Sequence, residues 1–169
     1  MAKPLIKKIL ACVNGTSESL QAVMYAIILA KQLSLQLKVV YVVDTATIKF
    51  LTNSKFFAPD EKSKYEESLT LDGKNILEYA SSLALTKGIK IETELLSGAV
   101  ASEILTAAEK FKADMIFVGG RRQSAHSLKQ SEGIITRTQS TTANQLMQYS
   151  NCPVVVVNKK DMEALFKVS

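Results

Sequence analysis

The sequence predicts an α/β fold, a single-domain three-layer sandwich in which a five-stranded parallel sheet lies between helices on both faces. Three observations carry this. Short apolar runs alternate with longer helical patterns from one end to the other, the signature of successive strand–helix–strand units. The run Val154-Val-Val-Val157 is apolar without alternation, as a strand covered on both faces must be. The 169 residues leave room for one domain, 1–169 with a tail at 159–169, and a domain of that size buries roughly 70% of its unfolded surface.

Taken in order, the strands are expected at Lys8–Val13, Leu37–Val43, Lys90–Leu95, Met115–Val118 and Val154–Asn158. The first helix presents Leu20, Val23, Met24, Ile27 and Ala30 on one face, with Thr16 or Ser17 as its N-cap and Glu18 in its first turn. Thr45–Pro59 reads as a loop over the carboxyl edge of the sheet. A second helix runs from Asp60 to Lys87 and stops at Gly88. Ala101–Lys112 forms a third, with Ile104, Leu105, Ala108 and Phe111 inward, and Thr141–Tyr149 a fourth, with Leu146 and Met147 inward. The tail from Lys159 either adds a short helix through Met162, Leu165 and Phe166 or packs on a second subunit.

Composition narrows the function classes. A hydrophobic share of 47% and a charged share of 22% are those of a globular protein. The apolar start Ile9–Val13 is interrupted by Asn14 and Gly15 before a signal-peptide core forms, and no run reaches the ~18 apolar residues of a membrane helix. A cytoplasmic protein without a membrane partner is expected. The net charge of +5 comes from scattered lysines, with no aromatic-studded basic stripe, so nucleic acid is not the expected partner. Cys12 and Cys152 have neither metal-ligand nor redox-motif spacing and read as buried free thiols.

Catalytic constellations are missing as well. There is no G-x-x-x-x-G-K-[ST] and no G-x-G-x-x-G after the first strand. The single histidine, His126, sits in a polar loop, which excludes a Ser-His-Asp triad. A phosphorelay receiver needs carboxylates after its first strand, where this chain has Cys12, Val13 and Asn14. Glu92, Glu94, Glu103 and Glu109 are spaced as solvated groups rather than as an acid/base pair. No enzyme is expected, or at most a weak ATPase.

In an open parallel sheet, ligands bind beyond the carboxyl ends of the strands where strand order reverses. That places two loops at the site, Asn14-Gly15-Thr16-Ser17 and Gly119-Gly120-Arg121-Arg122, with Val13 and Val118 as the site residues just before them. Gly119 and Gly120 suit a tight turn that brings N–H groups close to a ligand, and the helix starting near Thr141 offers its positive end to phosphate. Ser140, Thr141 and Thr142 add hydroxyls, and Arg121 and Arg122, with Lys129 and Arg137 near in sequence, add cations.

In this order and spacing, four segments resemble the universal stress protein family over nearly the whole chain. Lys8-Ile-Leu-Ala-Cys-Val-Asn-Gly-Thr-Ser-Glu-Ser19 is similar to that family's opening strand and turn, usually I-L-V-x-x-D-G-S, and Val39-Val-Tyr-Val-Val-Asp44 to its second strand. Gly98–Ala113 with Asp114-Met-Ile-Phe-Val-Gly-Gly-Arg121 is similar to its third helix and fourth strand, and Asn151-Cys-Pro-Val-Val-Val-Val157 to its last. The resemblance implies strand order 3-2-1-4-5, a regulatory stress-response role, a homodimer joined through Val154–Asn158, and ATP or another adenine nucleotide, with Mg as its companion ion, at the switch point. It makes Val42 an adenine contact and puts Asn14 where the family has an aspartate. The family's nucleotide binders carry G-x-x-G, nine residues, then G-[ST]. Here Gly119 matches the first glycine, Arg122 stands for the second, Ser140 for the third, and Thr141 takes the hydroxyl position. The intervening Gln123–Gln139 is longer than in the family by about eight residues, which loop entropy tolerates. The Ser-Thr-Thr-Ala helix start also resembles the branch without the glycine motif. The alternative is therefore a dimeric interaction module without nucleotide, docking a regulatory protein partner through the long loop.

Overall fold

The computed structural model describes residues 2–55, 58–120 and 141–169. Its five strands, β1 (Lys8–Cys12), β2 (Gln36–Asp44), β3 (Glu92–Gly98), β4 (Met115–Gly119) and β5 (Val154–Val157), form one parallel sheet in the order β3-β2-β1-β4-β5. Helices α1 (Ser17–Leu33), α2 (Thr45–Asn53), α3 (Pro59–Thr86), α4 (Val100–Phe111), α5 (Thr141–Tyr149) and α6 (Met162–Val168) follow the strands. The expected α/β class and strand order are both borne out.

Alternation along each strand divides the core in two. Ile9, Ala11, Val39, Tyr41 and Phe117 face α1, α3 and α6, whereas Leu10, Val40, Ile116 and Val118 face α4 and α5. Because β1 and β4 are central, their middle residues are shut off from water on both faces, and this explains the unbroken apolar runs. α1 begins as expected: the Thr16 hydroxyl accepts the Ser19 N–H at 3.2 Å, so Thr16 rather than Ser17 is the N-cap, with Glu18 in the first turn.

Four expectations need correction. Met147, expected inward on the fourth helix, is exposed, while Leu146 is buried. The segment read as a loop at Thr45–Pro59 carries α2, because Asp44 caps it: its carboxylate accepts the Thr47 N–H at 2.9 Å and the Thr47 hydroxyl at 2.7 Å, and Ile48 is buried beneath. The third strand lies later than Lys90–Leu95, at Glu92–Gly98, because register with β2 pairs Lys38 with Glu92 and Asp44 with Gly98, and Lys38 and Glu94 form an ion pair at 2.6 Å. The two cysteines are partly exposed as residues, although the Cys12 thiol itself is buried as expected. The tail forms α6, whose Met162 and Phe166 close the α1 side of the core of the same chain.

Two contacts set the ends of the sheet. At the amino edge, the Asp114 carboxylate accepts the N–H groups of Lys7 and Lys8 at 2.8 and 2.9 Å, while its own N–H donates to the Lys8 carbonyl at 2.7 Å. These hydrogen bonds, ahead of the neighbouring lysine charges, hold the carboxyl below its ordinary range. At the carboxyl edge, β4 runs against the start of α1. A Cβ on Gly119 would lie 2.5 Å from the Ser19 nitrogen and 2.6 Å from the Glu18 carbonyl carbon, so only glycine lets these two backbones meet.

Because the folded-state pKa of Asp114 is depressed, its stabilisation is present above the ordinary carboxylate value and is lost as pH falls through the folded value. Asp114→Asn is expected to cost about 1 kcal/mol at pH 7, the group being partly solvated. The Tm difference from the parent should shrink below about pH 3.9, which melting curves between pH 7 and 3 will read. Gly119→Ala is expected to cost about 1–3 kcal/mol, because the atoms it meets are backbone and must move apart, and denaturant unfolding measures it.

Candidate functional site

The reversal of strand order at β1 opens a cavity of about 590 Å³ beyond the carboxyl ends of the strands. Its floor is the β1–α1 turn, built by a ring of hydrogen bonds. Asn14 Oδ1 accepts the Thr16 N–H at 3.1 Å and the Thr16 hydroxyl at 2.7 Å. The buried Ser19 hydroxyl accepts the Asn14 N–H at 3.1 Å and donates to the Thr16 carbonyl at 2.9 Å. Gly15, at φ +86°, supplies the left-handed residue that lets the ring close. The Asn14 carbonyl and the Thr16 hydroxyl are thus engaged by the turn itself, and Nδ2 is the Asn14 group that remains to donate into the cavity.

The structure brings Val13, Asn14, Thr16, Val42, Val118, Gly119, Gly120 and Thr142 together on this cavity. Gly15 contributes through the turn and does not line the space. Arg121, Arg122, Ser140 and the Gln123–Gln139 loop, with His126, Lys129 and Arg137, lie outside the described residues, as does the side chain of Thr141, which opens α5. One expected role changes. The Gly120 N–H donates to the Val157 carbonyl at 3.0 Å, so it serves the β4–β5 ladder rather than a ligand, and the space beside its Cα is filled by the Asn158 side chain.

Sequence reasoning missed the wall on the α3 side, formed by Tyr41, Tyr65 and Leu69. Tyr41 is buried against α3, where Gly73 leaves the room: a Cβ there would lie 2.6 Å from the Tyr41 ring. A glycine in a helix interior costs roughly 1 kcal/mol, and this notch is what the cost secures. Burial first, then the negative charge of Asp72 and the neighbouring Tyr65, pushes the Tyr41 hydroxyl above its ordinary pKa. Asp44 was also missed as a lining residue, although its position at the carboxyl end of a strand is where a ligand contact is expected. Tyr65 and Leu69 left no signal, since only tertiary packing of α3 brings them there.

Charge and reactivity bound the chemistry. Among the described residues, the charged side chains on the cavity are Glu18 and Asp44, both acidic. Cys12 also lines it, but burial pushes its thiol far above the ordinary value, which keeps it protonated and a poor nucleophile. No group of three or more His, Cys, Asp or Glu side chains fit to hold a metal occurs among the described residues, and no helix there is long and apolar enough to cross a membrane.

Comparison with known proteins agrees with this architecture. Residues 5–158 match the model of the universal stress protein family. The chain is 32% identical over 162 residues to the universal stress protein MJ0531 of Methanocaldococcus jannaschii, covering 94% of this chain and 86% of that one. Among solved structures, universal stress protein UspA from Lactobacillus plantarum superposes with a TM-score of 0.71 at 17% identity, over 92% of this chain and 100% of that one. A universal stress protein family protein from Arabidopsis thaliana with AMP bound superposes with a TM-score of 0.56 at 15% identity, over 92% and 94%. With a cavity at the switch point of a 3-2-1-4-5 sheet and a family match over most of its length, the chain belongs to the universal stress protein family.

Proposed function

We propose that this protein is a regulatory member of its family that binds an adenine nucleotide in the switch-point cavity. The observation that carries the reading is the cavity itself: about 590 Å³, of a size for a mononucleotide, with apolar Val42 and Val118 beside the polar Asn14 and Thr142. The AMP-bound Arabidopsis relative, of the same fold, supports the choice of ligand. The base is assigned to the Val42 side and the phosphate to the Gly119–Thr142 side, at the start of α5. Magnesium would enter on the ligand's phosphates, with Asp44 and Glu18 the carboxylates near it. The role is regulatory and not catalytic, and the place of action is the cytoplasm. The second reading, an interaction module without nucleotide that docks a regulatory partner, draws on two facts: the Gly120 N–H is taken by the sheet, and the charged groups lining the cavity among the described residues are acidic.

Binding to the folded state alone raises stability by RT ln(1 + [L]/Kd), about 2.7 kcal/mol at one hundred times Kd, which for a domain of this size is a Tm rise of about 5–10 °C. Ligand-stripped protein is expected to show that rise with AMP or ATP, and Val42→Phe, which fills the base end, is expected to weaken binding about tenfold or more. Absence of any shift or calorimetric heat with every adenine nucleotide favours the second reading.

We also propose a homodimer through β5, whose outer edge pairs with no strand among the described residues and whose Val154, Val155 and Val156 are half-buried apolar side chains. Sedimentation velocity is expected to give the mass of two chains for the parent and of one for Val155→Lys.

A further inference from the structure

Beside the switch-point cavity lies a second one, of about 530 Å³, enclosed by the start of α2, the start of α4 and the exposed face of α5. Asp44, Val100 and Thr142 line both cavities, so the two spaces are neighbours along a common boundary. Nothing in the proposed mononucleotide site requires the second space, since the first already has the size of one nucleotide. The second cavity exists because Asp44 caps α2 and turns the chain over the carboxyl edge there instead of leaving a loop.

Apart from one carboxylate, its lining among the described residues is uncharged and rich in groups that hydrogen-bond hydroxyls. Thr47, Ser102, Thr142 and Gln145 bring three hydroxyls and an amide, Ala101 and Leu105 give a small apolar wall, and Tyr149, 64% exposed, stands at the rim with its ring available for stacking. Among the described residues, the single charged side chain in the lining is Asp44. Its two oxygens already accept from the Thr47 N–H and hydroxyl, and each retains a lone pair that a ligand hydroxyl can meet. Without a bridging cation, a terminal phosphate or carboxylate lodged in this second space is disfavoured against that carboxylate. A sugar, with many hydroxyls, no charge and one apolar face, is the complementary chemistry.

Resting on the nucleotide reading above, we propose that the ligand of this protein is a nucleotide that carries a sugar on its terminal phosphate, with the nucleoside in the switch-point cavity and the sugar in the cavity between α2, α4 and α5. The probes are AMP, ADP and ADP-ribose, titrated calorimetrically into ligand-stripped protein. ADP-ribose is expected to bind about tenfold or more tightly than ADP. Ala101→Leu, which fills the second cavity from a helix surface, and Gln145→Ala, which removes the amide from the exposed side of α5, are expected to abolish that advantage and leave AMP affinity within about twofold of the parent. Both positions tolerate a helix-forming residue, and superimposable melting curves confirm the fold. If AMP and ADP bind and ADP-ribose binds no more tightly than ADP, the sugar site is overturned and the nucleotide reading stands. If the ADP-ribose advantage survives both substitutions, the sugar site is overturned as well. If none of the three binds, the nucleotide reading falls and this inference with it.

Discussion

The site depends on β1 being hydrogen-bonded on both sides. Ile9, Leu10 and Ala11 pair with β2 on one flank and with β4 on the other, and α1 and α5, the helices that follow β1 and β4 in the chain, cover opposite faces of the sheet. The chain parts there because it must. A parallel sheet has to be covered on both faces, and the helices that cover it leave from neighbouring strands in opposite directions. The cavity is thus a by-product of topology, and side chains decide only what it holds.

Within that space, the polar groups divide between holding the turn and facing a ligand. Thr16 caps α1 and receives Ser19, Asn14 Oδ1 receives Thr16, and the Ser19 hydroxyl closes the ring. No buried side-chain nitrogen or oxygen among the described residues is left without a partner. A turn so fully satisfied needs no ligand to be stable, which makes it a rigid platform for one. The same economy operates at Gly120, where a donor that the sequence suggests for phosphate is taken by the Val157 carbonyl.

The sheet and four of the helices were legible in the sequence, since long apolar periodicities and the 154–157 valine run report burial directly, and the strand order was legible only through the family resemblance. α2 was not legible, because Thr-Ala-Thr-Ile-Lys-Phe has no strong helical pattern and its start depends on Asp44, a residue more readily assigned to the end of a strand. The displacement of β3 was hidden for a related reason: Ile89 and Ile91 look like strand residues but pack against the core from the preceding turn, and pairing with β2 sets the boundary. In the site, Asn14, Gly119 and Thr142 could be read from strand ends and helix starts, and Val42 from the family resemblance. Tyr65 and Leu69 could not, because no local pattern records where a 28-residue helix will cross a cavity.

The approach of Gly119 to Glu18 and Ser19 brings two main chains together with no side chain between them. Side chains can change rotamer and so act as springs, whereas backbone against backbone has no such compliance. The gap between the tops of β1 and β4 is therefore set by hard contact. The amino-terminal half of α3, by contrast, reaches the cavity through the side chains of Tyr65 and Leu69. One edge of the space thus has its width fixed by main chain, and a side-chain substitution can reshape only the others.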